Sequence, residues 1–576
     1  MTARHVADIL SEIETLLTLH GEDEFRSRAF GRAARALETT QVDLEQAAQQ
    51  GAVLGIPGIG KGLAPEVMEI LQTGKSATLE GLKAQTPQGL MDILQVRGLG
   101  AKKVRALWQQ LGLTTLGELE YACTENRVAG LAGFGQKSQE KILAGIQDVK
   151  KRRGKLRLDG ATTLAEALLP QLRAIPTVER AEIAGRLRRG YEEIEVLSFV
   201  VQSGFPETVE HKVAGLGEIS EVARRGNVIV AKFDGEIKIR IEVADADHFI
   251  ATFHHRSGAS DYNMMISIPL EQKGYELTEN DLLRDGVSVP LASEDELFRL
   301  AGVQPIPVEL REGIDEVRRA VDGTIPRLVQ MEDLQGVMHV HSTWSDGQNS
   351  IQQLADHSRA LGYRYLLLCD HSKAAFYANG LDEKRLMAQG KEIDEINKRF
   401  DPAEFRVLKG IECDILADGS MDLSDDALAS LDGVVASIHS SFNLPPEAQT
   451  ERLCRALEHR YVTMLGHPTG RLILSRTGYN PDLRQVILTA ARHGKSIELN
   501  ANPHRLDLSW RMIRFAVRKG VKIAINPDAH SLEGFNVLRY GITIGRKAWL
   551  RKEDVLNALS ADEFLAASAR MRGEGA

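Results

Sequence analysis

The sequence predicts a multidomain protein with an all-α amino-terminal region, an α+β middle and a carboxyl-terminal α/β barrel. Three observations carry that prediction. Glycine hairpins followed by helical runs recur before residue 142, period-2 strands begin near residue 178, and after residue 334 short apolar strands alternate with amphipathic helices. A chain of 576 residues also exceeds one hydrophobic core and is expected to form several domains.

Composition narrows the function classes. With 43% apolar and 26% charged residues and no long uncharged apolar run, no membrane span is expected. The opening stretch "MTARHVADILSEIETLLTLHG" places Val6, Ile9, Leu10, Ile13, Leu16 and Leu17 on one helical face, unlike a signal peptide, so the protein is expected to stay in the cytosol. Cys123, Cys369, Cys413 and Cys454 lie far apart with no C-x-x-C pair, which argues against a disulfide framework and a thiolate zinc site. The net charge of −9 does not favour a phosphate polymer, so any DNA contact must be local.

Such local contacts are legible in the first domain region. The pattern h-x-G-h-G-x-K occurs as "IPGIGKG" (56–62) and "VRGLGAKK" (96–103), and more loosely as "LAGFGQKSQEK" (131–141). This is the helix-hairpin-helix spacing. Gly58, Gly60, Gly98, Gly100, Gly133 and Gly135 allow positive φ and let backbone N–H groups approach a phosphate, with Lys61, Lys102, Lys103 and Lys137 alongside as cations. Phosphate contacts position a protein without reading bases, so DNA binding is expected to be sequence-independent. Arg28, Arg32 and Arg35 lie about one turn apart, forming either a second phosphate surface or a solvated face.

From about residue 155 a long helix is followed by the strands "VERAEIAGRL", "EIEVLSFVVQ", "NVIVAKFDG" and "EIKIRIEVAD". "GRLRRGYEEIEVLSFVV" (185–201), "HFIATFHHRSGASDYN" (248–263), "KGYELTENDL" (273–282) and "ASEDELFRLAGVQPIPVELREG" (292–313) resemble the palm and thumb of family X DNA polymerases. With the hairpins, the resemblance covers about 1–315. It implies that Gly185, Arg188 and Arg189 bind a nucleotide triphosphate. It also implies an aspartate pair on the following strand and a third carboxylate on its neighbour, which together hold two Mg²⁺ ions. Here the pair falls on Val196 and Ser198, and counting back from Phe249 puts the third position on Arg240. A guanidinium about 4 Å from a divalent ion costs about 8 kcal/mol at an effective dielectric of about 20. The palm is therefore expected to hold DNA without Mg²⁺, unless Glu193, Glu195 or Glu236 substitutes as ligand, in which case it would polymerise. The abasic-sugar lyase lysine of polymerase beta falls on Glu66, so that activity is not expected either.

"DEVRRAVDGTIPRLVQMEDLQG" (315–336) reads as a linker. Beyond it, the strands "GVMHVHS", "YLLLCDHS", "RVLKGIECDI", "GVVASIHSSF", "VTMLGHP", "SIELNAN" and "VKIAINPDAH" suggest seven βα units of a distorted barrel. Most of these strands end in His, Asp or Glu. In such a barrel the strand ends converge, so His339, His341, Asp346, His371, Glu412, His439, His467, Asp528 and His530 should meet in one multinuclear metal site.

These stretches resemble the PHP (polymerase and histidinol phosphatase) domain over about 334–570. Behind a polymerase-like region, the whole chain resembles bacterial family X DNA polymerases. The resemblance implies a first ion on His339, His341, Glu412 and Asp528, and a second on Glu412, His439 and His467. A third would sit on Asp346, His371 and His530. Nitrogen and oxygen ligands suit Mn²⁺ or Zn²⁺. His339, His341, Glu412 and Asp528 are the expected catalytic centre, with Arg471 of "GHPTGR" as a candidate phosphate clamp. The implied domain order is an 8-kDa-like DNA-binding domain (1–85), fingers (86–154), palm (155–255), thumb (256–314), linker (315–333) and PHP domain (334–576). The implied function is metal-dependent 3'-5' exonuclease action on gapped, nicked or primer-template DNA, with possible incision at abasic sites, and no protein partner. A gap-filling polymerase with an editing nuclease is the second reading, and a small-molecule phosphatase or non-catalytic DNA-end organiser the third.

Overall fold

The computed structural model describes residues 3–22, 24–39, 53, 56, 59–151, 154–234 and 236–574, and the chain divides into two compact units, 1–149 and 150–576. The described part of the first unit is helical, running from Ala3–His20 to Gln136–Lys151. The apolar face of Ala3–His20 buries Val6, Ile9, Leu10, Ile13, Leu16 and Leu17 in the unit's core. Local chemistry sets the helix ends. Thr115 and Glu118 form a capping box at Leu116–Thr124, and the Ser76 side chain accepts from Leu79 N–H at the start of Ala77–Gln85. Glu66 takes hydrogen bonds from the Ser76 hydroxyl and from Thr78 Oγ1 (2.7 Å), so it fastens one helix to the next.

In the second unit the strands are β1 (Leu156–Arg157), β2 (Arg180–Ala184), β3 (Glu193–Ile194), β4 (Val196–Gln202), β5 (Ile219–Arg225), β6 (Val228–Phe233), β7 (Ile237–Ala244), β8 (Glu276–Leu277), β9 (Leu282–Arg284) and β10 (Val287–Ser288). The palm sheet has the order β2-β4-β7-β6-β5. Alternation decides its faces. Leu197, Phe199, Val201, Ile239 and Ile241 pack with Ala161, Ala165, Leu168, Val209 and Val213 of the helices Leu158–Arg173 and Pro206–Ala214. Val196, Ser198, Lys238, Arg240 and Glu242 lie on the other face.

Seven parallel strands follow: β11 (Gly336–Val340), β12 (Tyr365–Leu368), β13 (Arg406–Asp414), β14 (Gly433–Ser437), β15 (Met464–Leu465), β16 (Ser496–Asn500) and β17 (Ile523–Asn526). They are hydrogen-bonded in sequence order. A parallel bridge between Val340 and Ala529 brings the last strand back beside the first, closing the barrel.

The segment expected as a linker is packed. It contains the helix Glu316–Val321, and Val317, Ala320, Ile325, Leu328 and Val329 are buried. Asp315 accepts from Arg514 Nη2 (2.9 Å) of the barrel, and the apolar cluster continues from palm to barrel. Apolar residues at 317, 320, 325 and 328 make this stretch a joint, despite its glycine and proline. The loop after β2 joins the two parts as well. Lys547 Nζ donates to Glu312 Oε1 (2.5 Å) and Arg189 O (3.2 Å), and Gly190 lies against the helix Leu538–Lys547.

At Gly190 φ is +70°, and a Cβ there would lie 2.4 Å from Thr543 Cγ2. Gly190→Ala should therefore lower stability by about 2–4 kcal/mol, read from the urea midpoint of the transition that includes the barrel, while Gly204→Ala, which meets open space, should shift it by less than about 0.5. Equal midpoints would contradict the joint. His254 is fully buried; burial first, then Arg311, holds its pKa at about 4 against an ordinary 6.5. The unfolded chain takes up that proton first, so stability present above pH 6.5 is lost as pH falls toward 4. The loss between pH 7 and pH 5 should be about 2 kcal/mol and should largely disappear in His254→Gln.

Candidate metal centre and DNA-contact surfaces

The backbone at the barrel mouth turns the candidate ligands inward. The β11–β12 register slips between Met338 and Val340, making His339 the extra residue of a bulge with φ +58°. His467 (φ +21°) and Asp528 (φ +53°) also sit in left-handed backbone where their strands end. Each such non-glycine residue costs on the order of 1 kcal/mol, a strain typical of functional sites.

All nine predicted ligands meet there. Glu412, 1% exposed, is central: Oε1 lies 3.2 Å from His339 Nε2, 2.9 Å from His467 Nε2 and 3.3 Å from His439 Nε2, and Oε2 lies 2.8 Å from His371 Nδ1. Asp528 Oδ1 is 3.2 Å from His341 Nε2 and 3.4 Å from His339 Nε2. Asp346 Oδ1 is 3.3 Å from His530 Nε2 and 3.7 Å from His371 Nε2. Four groups have ligand atoms within 4.8 Å of one another: His341, Asp346, His371 and His530; His339, His341 and Asp528; His339, Glu412 and His467; and His371, Glu412 and His439. His439 and His467, expected around one ion, fall in different groups, their rings 5.3 Å apart at 68° although both turn Nε2 toward Glu412 Oε1.

The donor set fits metal ions. Buried His339 Nε2, His341 Nδ1, Asp346 Oδ2, His371 Nδ1, Glu412 Oε2 and His467 Nδ1 make no hydrogen bond of good geometry, the close approaches of His339 and His371 to Glu412 included, although such atoms are normally satisfied. Electrostatics agrees. Burial opposes charge on His339, yet Glu498, Asp528 and Glu412 overcome it and raise its pKa well above the ordinary value, so this corner attracts cations. Burial also opposes charge on Glu412, but His439, His339 and His371 hold it well below the usual carboxylate range. Burial together with His530 and His371 pushes His341 down to about 3, leaving a neutral imidazole able to ligate.

Several supporting residues escaped the sequence reading. Glu498, fully buried, lies 2.6 Å from His339 Nδ1 and accepts His467 N–H at 2.7 Å. Because a carboxylate only accepts, Nδ1 carries the hydrogen and Nε2 faces the cluster. Asp414 does the same for His439 Nδ1 (3.1 Å). Asp370 accepts from Ser342 N–H (2.8 Å), Ser345 Oγ (2.5 Å) and Gln389 Nε2 (2.6 Å), fixing the loop that carries Asp346. The available signal was the polar pair Glu498 and Asn500, two apart on one face of a fully buried strand. Arg471 is a correction: it donates to Arg505 O (2.9 Å), to Leu506 O and to Glu192 Oε1 (2.9 Å) of the palm, so it braces a loop. The cation at the cluster is Arg505, 5% exposed, with Nε 3.7 Å from Asp528 Oδ2.

The palm does not fit Mg²⁺. Ser198 pairs with Arg240 in the β4–β7 register, so the three expected positions stand side by side as Val196, Ser198 and Arg240. Glu193 lies on β3, which pairs with β1 outside the palm sheet. Glu195 is ion-paired with Lys155 at 2.9 Å, and Glu236 lies in the turn before β7. Buried Glu242 is engaged by Arg256, with Nη2 2.9 Å from Oε1. Among the described residues the palm holds no group of metal-ligating side chains. The arginines expected on a triphosphate are also engaged internally: Arg188 Nη2 with Glu294 Oε2 (2.6 Å), and Arg189 Nε with Glu312 Oε1 (3.1 Å). Gly185, at φ +68°, lies against Ser198.

In the first unit, Gly98 (φ +91°) and Gly133 (φ +85°) take the left-handed turn their hairpins need, and a Cβ on Gly60, Gly98, Gly100, Gly133 or Gly135 would meet nothing within 4 Å. Gly58 lies outside the described residues. Lys61, Lys102, Lys103 and Lys137 are exposed, and no side chain caps the helix Ala101–Leu111 that follows Gly100. Lys103 Nζ stands 5.7 Å over the Phe134 ring, joining the second and third hairpins.

Hairpins that suit a phosphate backbone and a barrel mouth crowded with imidazoles and carboxylates define a DNA-binding phosphoesterase. Residues 1–76 match the helix-hairpin-helix domain family and residues 90–148 the SAM-like helix-hairpin-helix tandem. The chain is 36% identical over 564 residues to the DNA polymerase/3'-5' exonuclease PolX of Bacillus subtilis (strain 168), covering 96% of this chain and 98% of that protein. It is 30% identical over 163 residues to a probable phosphatase of Thermoanaerobacter sp. (strain X514), 26% of this chain and 63% of that protein. A probable phosphatase of Caldicellulosiruptor saccharolyticus is 27% identical over 203 residues, 33% and 78% respectively. The chain belongs to the PolX family of DNA polymerase/3'-5' exonucleases.

Removing the support behind His339 tests the cluster. Glu498→Gln should weaken metal binding by about 10–100-fold in isothermal titration with Mn²⁺. An unchanged affinity would remove Glu498 from the centre.

Proposed function

We propose that the barrel is a metal-dependent 3'-5' exonuclease acting on DNA, able also to incise at abasic sites, and that the palm is a DNA-holding scaffold. The observation carrying this reading is the convergence of His339, His341, Asp346, His371, Glu412, His439, His467, Asp528 and His530 in one buried cluster. Imidazole and carboxylate donors without thiolate favour Mn²⁺ or Zn²⁺, up to three ions. Bound there, such ions supply Lewis acidity toward a phosphodiester and its leaving oxygen. Glu498 and Asp414 hold His339 and His439 with Nε2 turned to Glu412, Asp370 holds the Asp346 loop, and Arg505 places a fixed cation beside Asp528.

The hairpins hold the DNA backbone through Gly60, Lys61, Gly98, Gly100, Lys102, Lys103, Gly133, Gly135 and Lys137, with Gly58 as a further candidate. Gapped, nicked or primer-template ends are the substrates this reading assigns, without sequence preference and without a protein partner. No helix among the described residues is long and apolar enough to cross a membrane, and we assign the protein to the cytosol. The polymerase reading is the weaker because Arg240 stands where a metal carboxylate is needed and both phosphate-loop arginines are ion-paired.

A 5'-labelled primer-template incubated with Mn²⁺ and nucleotides should be shortened and not extended, and a chelator should stop the shortening. His339→Ala combined with His341→Ala should reduce it by about 10³-fold or more while leaving DNA binding intact. Extension that survives these changes would overturn the scaffold reading, and persistent degradation would remove the case for the barrel.

A further inference from the structure

Phe376 is the most exposed large apolar side chain recorded among the described residues, at 81%. It does not hang from a loose loop. Its 3₁₀ turn, Phe376–Ala378, is tied down by Gly380 N–H to Ala375 O (3.2 Å) and Leu381 N–H to His371 O (2.7 Å). Arg385 clamps the turn from outside, Nη1 donating to Asn379 O (2.6 Å) and Gly380 O (3.0 Å). Ala375, Ala378 and Leu381 are buried beneath it. The backbone thus holds a phenyl ring in water, which no packing argument for the fold requires.

The ring is linked to the candidate ligand His371 through one intervening aromatic side chain. Phe376 contacts Tyr377 edge-on at 6.0 Å between centroids, and Tyr377 stands 6.3 Å from the ring of His371. Two aromatic faces therefore lead outward from His371. A flat, sequence-tolerant π-surface beside a phosphodiester-cleaving centre suits one ligand chemistry, a nucleobase attached to the phosphate being cut.

Resting on the exonuclease reading, we propose that Phe376, supported by Tyr377, is the stacking platform for the 3'-terminal nucleobase of the DNA strand in the barrel. Stacking places the terminal nucleotide without reading its identity, which suits an enzyme that trims any sequence.

The test compares strands ending in thymine with strands ending in 5,6-dihydrothymine, which has similar size and edge groups but no aromatic face. The wild-type protein with Mn²⁺ should favour thymine by roughly tenfold in kcat/KM, mainly through KM. Phe376→Ala should bring the ratio close to one, and Phe376→Trp should restore it. A wild-type ratio near one, or a Phe376→Ala protein slowed equally on both ends, overturns the platform while leaving the exonuclease reading standing. A wild-type protein that shortens neither strand overturns both.

Discussion

One buried carboxylate organises the barrel mouth. Glu412 has imidazoles from four other stretches of the barrel within hydrogen-bonding distance, in an interior where an isolated charge would be very costly. It remains ionised because His439, His339 and His371 surround it, and they are held in place by Asp414, Glu498 and the chain just beyond β12. Such an arrangement is over-supplied with ligand atoms for a purely structural network. Its orphaned nitrogens and oxygens are the expected consequence of a centre shaped around cations.

The palm follows from the opposite circumstance. With Val196, Ser198 and Arg240 at the three positions where carboxylates were expected, the loop after β2 serves another contact. Arg189 and Tyr191 share Glu312 with Lys547, Gly190 lies against Thr543, and Glu192 receives Arg471. The same short loop thus fastens the palm to the barrel.

Much of this was legible beforehand because it depends on short-range periodicity. Strand-end histidines announce themselves once seven apolar strands are recognised, and the Arg240 position could be counted because only a short turn separates β7 from the helix beginning at Phe249. The apolar face of the first helix was equally plain. What stayed hidden depends on direction in space. Nothing in "GHPTGR" says that Arg471 turns toward Glu192, and nothing in "SIELNAN" says that Glu498 lies behind two imidazoles. Residues 315–336 looked like a tether because glycine and proline outweighed the apolar residues that anchor them.

The most direct test is anomalous diffraction from crystals soaked in Mn²⁺. The account predicts strong peaks in the barrel mouth, between His339, Glu412 and Asp528 and between Asp346, His371 and His530, with none beside Arg240. A mouth without peaks at saturating Mn²⁺ or Zn²⁺, or an ion on the palm sheet, would contradict it.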